Sequence, residues 1–462
     1  MKINFIKLLY KEENDMKKNK GITLVALVVT IVVLLILAGV SINLVLGDNG
    51  IIAKAKEAQR KSAEATQNDL IGMNELAQQL EEKINGSAGS GGNGGNGGTG
   101  GSGAGTKVPA EATAETAPYF PDNTFTKKEG KIDTGLVIQD ASGNEYVWVV
   151  VPKSLYNNTD YNSNDAKKPS SSTDYANIEY CLHQYTATYR NGTDYSDTYA
   201  ADTDNVGWFA DVTAYNNLKN SMLKSVYENG GFYVGRYEAG IGTNRTSEGP
   251  TNSDGKYTIE GMPVPVSKAD AYPYTYVTRT QAQNLASKVN AGTKTSSLMF
   301  GVQWDLVLAF MSKDTTKVNQ ENLKELISNS TTIGNYSDSI FQLSQTGKYA
   351  TMSNWSLSST WNPSTTATTN FVDSSRNKLA QSGVNGILVT TGTSETNKVM
   401  NIYDIAGNVW EWTLEKISFT DGPCAIRGGS FYLTGSHYPA ASCDGYSTDS
   451  SDGSTGFRVS LF

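Results

Sequence analysis

The hydrophobic pattern opens with one long apolar block. From Ile22 to Leu46 the run ITLVALVVTIVVLLILAGVSINLVL carries no charge. At about 1.5 Å per residue such a helix exceeds the roughly 30 Å hydrocarbon core of a bilayer, so a transmembrane helix is expected over 22–47. Lys2, Lys7, Lys11, Lys17, Lys18 and Lys20 precede it and Asp48 follows, which places the N-terminus in the cytoplasm and everything past Gly47 outside. A cleaved secretory signal is the alternative, but the run is too long for an ordinary h-region. Over 48–85 the period changes. Ile52, Ala55, Ala58, Met73, Leu76, Leu80 and Ile84 recur mostly three and four apart among Lys, Glu and Gln, predicting an amphipathic stalk helix that packs on a neighbour or stands solvated. Residues 86–106, GSAGSGGNGGNGGTGGSGAGT, hold no apolar side chain larger than Ala. They read as a flexible tether of about 25 Å root-mean-square span within a linker over 86–117. Beyond it, LVIQD and YVWVVVP begin a β-containing domain that runs from 118 to 462. Polar stretches at about 154–206 and 312–375 are expected to be surface loops.

Composition narrows the function. A chain of 462 residues with 38% hydrophobic residues has material for a real core, and its net charge of -8 leaves no basic surface beyond the N-terminus for nucleic acid. Cys181, Cys424 and Cys443 allow at most one disulfide with a thiol left over. Two histidines, His183 and His437, supply little for zinc or for a Ser/His/Asp arrangement. The 25 tyrosines among abundant Ser, Thr, Asn, Asp and Gly suit contact surfaces.

Two resemblances follow from motifs. Lys20-Gly21-Ile22-Thr23-Leu24, ahead of an uncharged helix, resembles a type IV prepilin leader (1–21), which implies cleavage between Gly21 and Ile22. Ala26 stands where such pilins carry a glutamate that helps register one subunit on the next. A minor pilin or pseudopilin that meets pilin subunits therefore stays open beside a plain anchor. Further on, GGFYVGRYEAG at 230–240, SLMFGVQWDLVLAFM at 297–311, NIYDIAGNVWEWT at 401–413, IRGGSF at 426–431 and GFRV at 456–459 occur in that order. Together they resemble the formylglycine-generating-enzyme, or sulfatase-modifying-factor, family over about 118–462. The resemblance implies an α+β, C-type-lectin-like ectodomain, with a helix after Val277 in TRTQAQNLASKV and a second over Gln303 to Phe310. Trp410 and Trp412 read as core fillers, and Arg427 and Arg458 as structural ion-pair partners.

The family's oxidases hold copper with cysteines at two positions that are Leu433 and Tyr438 here. Neither an alkyl group nor a phenol replaces a thiolate, so no copper and no catalytic residue are expected, and iron-dependent relatives need a histidine cluster that two histidines do not supply. The resemblance does imply a structural Ca2+ on Asp404, Gly407, Val409 and Glu411, hard oxygen ligands within eight residues. Pairing of Glu411 with an arginine is the alternative. From Phe431 to Thr455, FYLTGSHYPAASCDGYSTDSSDGST lacks Lys, Glu, Gln, Met and Trp. Such a set is reachable by randomising the adenines of an AAC codon, as in the variable proteins of diversity-generating retroelements, which use the same fold; yet the tract from 185 to 205 lacks the same five residues. Phe431, Tyr432, Thr434, Ser436, His437, Tyr438, Asp444, Tyr446, Thr448, Asp449 and Asp452 are the expected ligand contacts. The function expected is non-catalytic, adhesin-like or receptor-like binding of an extracellular protein or glycan at the cell surface. A metal-dependent oxidase and a minor pilin subunit are the alternatives.

Overall fold

The structure is a computed structural model that describes residues 112–190, 195–198, 209, 211–366, 370–418 and 422–462. The leader with Gly21 and Ile22, the expected membrane helix, the stalk helix and most of the linker lie outside the described residues. Among the described residues no helix is long and apolar enough to cross a membrane.

The domain is α+β. Its first sheet begins with β1 (Thr126–Glu129), β2 (Val137–Gln139) and β3 (Glu145–Val150). Two helices follow, α1 (Tyr175–Tyr185) and α2 (Val212–Asn229). Asp211 caps α2 through its carboxylate to the Ala214 N–H at 2.8 Å, and Gly230 ends it at φ 68°, a left-handed conformation glycine adopts without strain. Next come β4 (Gly231–Gly235), α3 (Arg279–Ala286), β5 (Ser296–Leu298) and α4 (Gly301–Met311). Thr278 and Gln281 form a capping box at the start of α3. The two helices expected after Val277 and around Gln303–Phe310 are α3 and α4.

The chain continues through β6 (Lys348–Ser353), β7 (Gly386–Val389), β8 (Trp410–Ile417) and β9 (Cys424–Arg427). It ends with β10 (Cys443–Tyr446), β11 (Thr455–Phe457) and β12 (Val459–Leu461). The terminal strand β12 inserts between β4 and β5, giving the six-stranded order β1-β2-β3-β4-β12-β5. A second sheet runs β10-β9-β8-β11, with β8 and β11 parallel. A third, smaller sheet pairs β6 with β7. The main core fills with Trp148, Trp304, Trp410 and Trp412, each no more than 2% exposed. All eleven residues of α4 are buried, so this helix forms the centre of the packing.

Three expectations are corrected. Packing starts before residue 118: Thr116 accepts the Trp148 indole N–H at 2.8 Å and donates to the Gly230 carbonyl at 2.7 Å. The stretch 154–206 holds α1, whose Ile178, Cys181 and Leu182 are buried. The stretch 312–375 holds β6 and part of a separate small core of Phe341, Leu343, Tyr349, Val372, Ile387 and Val389. Polar neighbours mask these few inward positions, which become apolar faces only when the chain folds. No disulfide joins the three cysteines.

Candidate functional site

The loop before β8 gathers three buried carboxylates around one guanidinium. Arg458 donates to both Glu411 oxygens, at 2.6–3.1 Å, and to the carbonyls of Gly235 (3.0 Å) and Tyr403 (2.9 Å). The Asp404 carboxylate accepts the Gly392 N–H at 2.8 Å and the Asn397 amide at 3.4 Å. Glu238, in the loop that follows β4, accepts the Asn408 amide at 2.6 Å and the Val409 N–H at 3.2 Å. Gly407 has φ +71°, and a Cβ there would lie 2.1 Å from the Asn335 carbonyl; only glycine lets the loop close.

Three carboxylates and one guanidinium leave two formal negative charges in a site where every member is at most 1% exposed. Burial, reinforced by Asp404 and Glu411, pushes Glu238 well above the usual carboxylate range. Burial likewise pushes Asp404 up to about 6 and raises Glu411. Such an excess is neutralised by protons or by a hard divalent cation. The side-chain oxygen of Asn397, beside Asp404, is buried without a hydrogen-bond partner, so the excess charge and one free oxygen donor suit a hard cation such as Ca2+, whereas both Glu411 oxygens are held by Arg458. The Arg458 pairing of Glu411, the alternative raised by sequence, is also present. Glu238 lies in the loop after β4, within the GGFYVGRYEAG motif, and a lone glutamate there carries no signal until the fold sets it beside Asp404.

Where the resembled oxidases carry cysteines, Leu433 and Tyr438 lean on the core. The Tyr438 ring meets Trp410 edge-on at 5.5 Å. Cys443 lies on β10 opposite Arg427, and burial pushes its thiol far up, away from thiolate chemistry. Among the described residues, Glu179, His183 and Asp197 converge with ligand atoms within 4.8 Å. Lys219 already fills the role of cation there, donating to both Glu179 oxygens at 3.1 Å and to the Asp197 carbonyl at 2.9 Å. The Asp197 carboxylate in turn caps Gly301 and Val302 at the start of α4.

The C-terminal tract divides. Tyr432, Ser451, Asp452, Gly453 and Ser454 line a concavity of about 670 Å³. Its other wall is Met352, Trp355 and Leu357, from a hairpin at the end of β6, with Ser247, Glu248 and Tyr276 closing the rim. Phe431, expected as a ligand contact, is instead fully buried against Met352, Leu388 and Val409. Thr434, Ser436 and His437 are exposed on a turn outside that wall. Tyr438, Asp444, Thr448 and Asp449 also lie outside it. Tyr446 packs edge-on against Trp412 at 5.9 Å between centroids and is not part of that wall.

Sequence reasoning missed Trp355. The hairpin pairs Ser353 with Ser356 across Asn354 (φ 52°) and Trp355 (φ 66°), a two-residue turn with both φ positive, for which Asn-Gly is the favoured pair. Tryptophan occupies the glycine position, 67% exposed, its ring 5.7 Å from that of Tyr432. An Asn-Trp pair where Asn-Gly belongs is the signal that would have found it.

A family model described as sulfatase-modifying factor enzyme 1-like domain matches residues 344–461. No curated protein and no solved structure matches the chain. The matched stretch holds β6 to β12, Asp404, Glu411 and the whole C-terminal tract, so residues 344–461 constitute a domain segment of the sulfatase-modifying-factor, formylglycine-generating-enzyme type.

Proposed function

We propose that this chain is a non-catalytic ligand-binding protein of the cell surface, with the concavity between the C-terminal tract and the Trp355 hairpin as its binding site. The observation that carries it is Trp355 itself: a large aromatic held two-thirds exposed in a strained backbone conformation, edge-on to Tyr432 in the lining of an open cavity. Folding gains little from that arrangement, and strain of this kind concentrates at working surfaces. The anchor rests on the uncharged run at 22–46 and its lysine-rich flank. The cavity's tract residues fall inside the segment whose composition suits retroelement diversification, so a nearby reverse transcriptase with an adenine-rich copy of codons 431–455 is the genomic sign to seek.

Tyr432→Ala is expected to weaken target binding at least about tenfold, with Tyr438→Ala, outside the cavity, close to wild type. Unchanged binding in Tyr432→Ala would overturn the site. The oxidase alternative needs stoichiometric copper or iron and turnover in the purified protein. Metal analysis finding either metal at one per chain would overturn the non-catalytic reading.

The same domain, in this reading, holds one structural Ca2+ on the Asp404 and Glu411 side chains and the Gly407 and Val409 carbonyls, the ion offsetting the two excess charges. Chelation is expected to lower the melting temperature by several degrees, and Ca2+ to restore it. Asp404→Ala should lose the response. A melting temperature indifferent to chelator removes the ion from the account.

A further inference from the structure

We propose that the concavity takes an organic cation, an ammonium, guanidinium or quaternary ammonium group. This rests on the reading of the concavity as the binding site and adds the chemistry of what enters it. Two independent features carry it, the rings and the charges.

Three aromatic side chains, Tyr276, Trp355 and Tyr432, line the cavity. Trp355 and Tyr432 stand at 70° to each other, 5.7 Å between centroids. Rings set this way form an open corner instead of a closed stack and leave π faces for a guest. A cation over such a face gains about 0.5–2 kcal/mol, most when desolvated. A hairpin that keeps an indole in the left-handed region holds the ring in place before any guest arrives, which lowers the ordering cost of binding.

The charges point the same way. Glu248 and Asp452 line the wall, and no lining residue is Lys or Arg. Asp452 is fixed in advance: one carboxylate oxygen accepts the Ser454 N–H at 2.7 Å and its hydroxyl at 2.8 Å. The neighbouring cation is committed elsewhere. Arg245 donates to the carbonyls of Thr275 (3.1 Å), Tyr276 (3.1 Å) and Ser247 (3.2 Å), holding two rim residues and leaving the carboxylates facing the cavity unneutralised by it. An anionic guest meets two like charges. A neutral sugar uses the rings but gains nothing from the net negative potential, whereas an organic cation uses both.

The test uses the full-length chain labelled with 5-fluorotryptophan. Its seven tryptophans give seven fluorine resonances, and the one lost in Trp355→Phe reports the cavity. Tetramethylammonium, a neutral peptide carrying one lysine, acetate and a methyl glycoside are titrated separately. Saturable shifts of the Trp355 resonance are expected for the two cations, at about millimolar affinity, with none for acetate or the glycoside. Asp452→Asn, which keeps an acceptor for Ser454, should weaken the cation response about tenfold. A lysine peptide binding more tightly than tetramethylammonium assigns the cation to a partner's side chain; the reverse order assigns it to a free small molecule. Absence of a saturable cation shift overturns the proposal, as does an equal response to the glycoside or indifference to Asp452→Asn. A glycoside response alone removes the cationic class and leaves the site standing, because that reading falls only if Tyr432→Ala keeps full target binding.

Discussion

Replacing Arg458 by Met is expected to destabilise the domain by about 3–5 kcal/mol, the usual cost of removing one partner from a buried ion pair. This is a large part of the stability of an ordinary domain. Arg458 is the one guanidinium among Glu238, Asp404 and Glu411, and its other hydrogen bonds tie the Gly235 and Tyr403 carbonyls. Without it, the Glu411 carboxylate and two carbonyls lose their donor together, and Glu238 and Asp404 lose the one positive charge beside them. The pH dependence follows from the direction of the shifts. Glu238, Asp404 and Glu411 have folded-state values raised by burial. Groups raised in this way contribute stability below the ordinary carboxylate range and lose it as pH rises through the folded value, which for Asp404 is about 6. The Arg458→Met deficit in urea unfolding should therefore be larger at about pH 8 than at about pH 5. A variant as stable as wild type at the higher pH contradicts the cluster's role.

Trp355→Gly is expected to separate binding from stability. Glycine relieves the φ of +66°, worth about 1–2 kcal/mol. The lost edge contact with Tyr432 costs about 0.5–1.5 kcal/mol. These terms nearly cancel, and the exposed ring buries little area of its own. The unfolding midpoint should stay close to wild type while target affinity falls at least about tenfold. A stability loss above about 2 kcal/mol with binding retained would make Trp355 a packing residue.

The parts of this domain legible in the sequence are those in which local pattern and tertiary role coincide. The buried strand EYVWVV, the Thr278–Gln281 capping box, the wholly apolar α4 and the GNVWEW, RGGS and GFR landmarks all announce themselves. Arg427 and Arg458 were readable as ion-pair partners, and they bond Asp305 and Glu411 respectively. The concavity was half legible. Tyr432 and Asp452 lie in a compositionally odd tract, but their facing wall comes from residues 352–357, some eighty positions away in the chain and disguised by two serines and an asparagine. Phe431 was misplaced for the opposite reason. It adjoins Tyr432, and composition cannot show that the chain turns it inward onto Val409. Glu238 needed the packing of β4 against the loop before β8.

The central claim is that the concavity of Tyr432 and Trp355 is where this protein meets its ligand. The most direct measurement puts a photo-crosslinking phenylalanine analogue at position 432 of the displayed chain, and in a second version at Ser221, on the polar groove beside α2. The account predicts a specific covalent adduct from position 432, competed away by unlabelled wild-type protein, and none from 221. Adducts at 221 with none at 432 would contradict it.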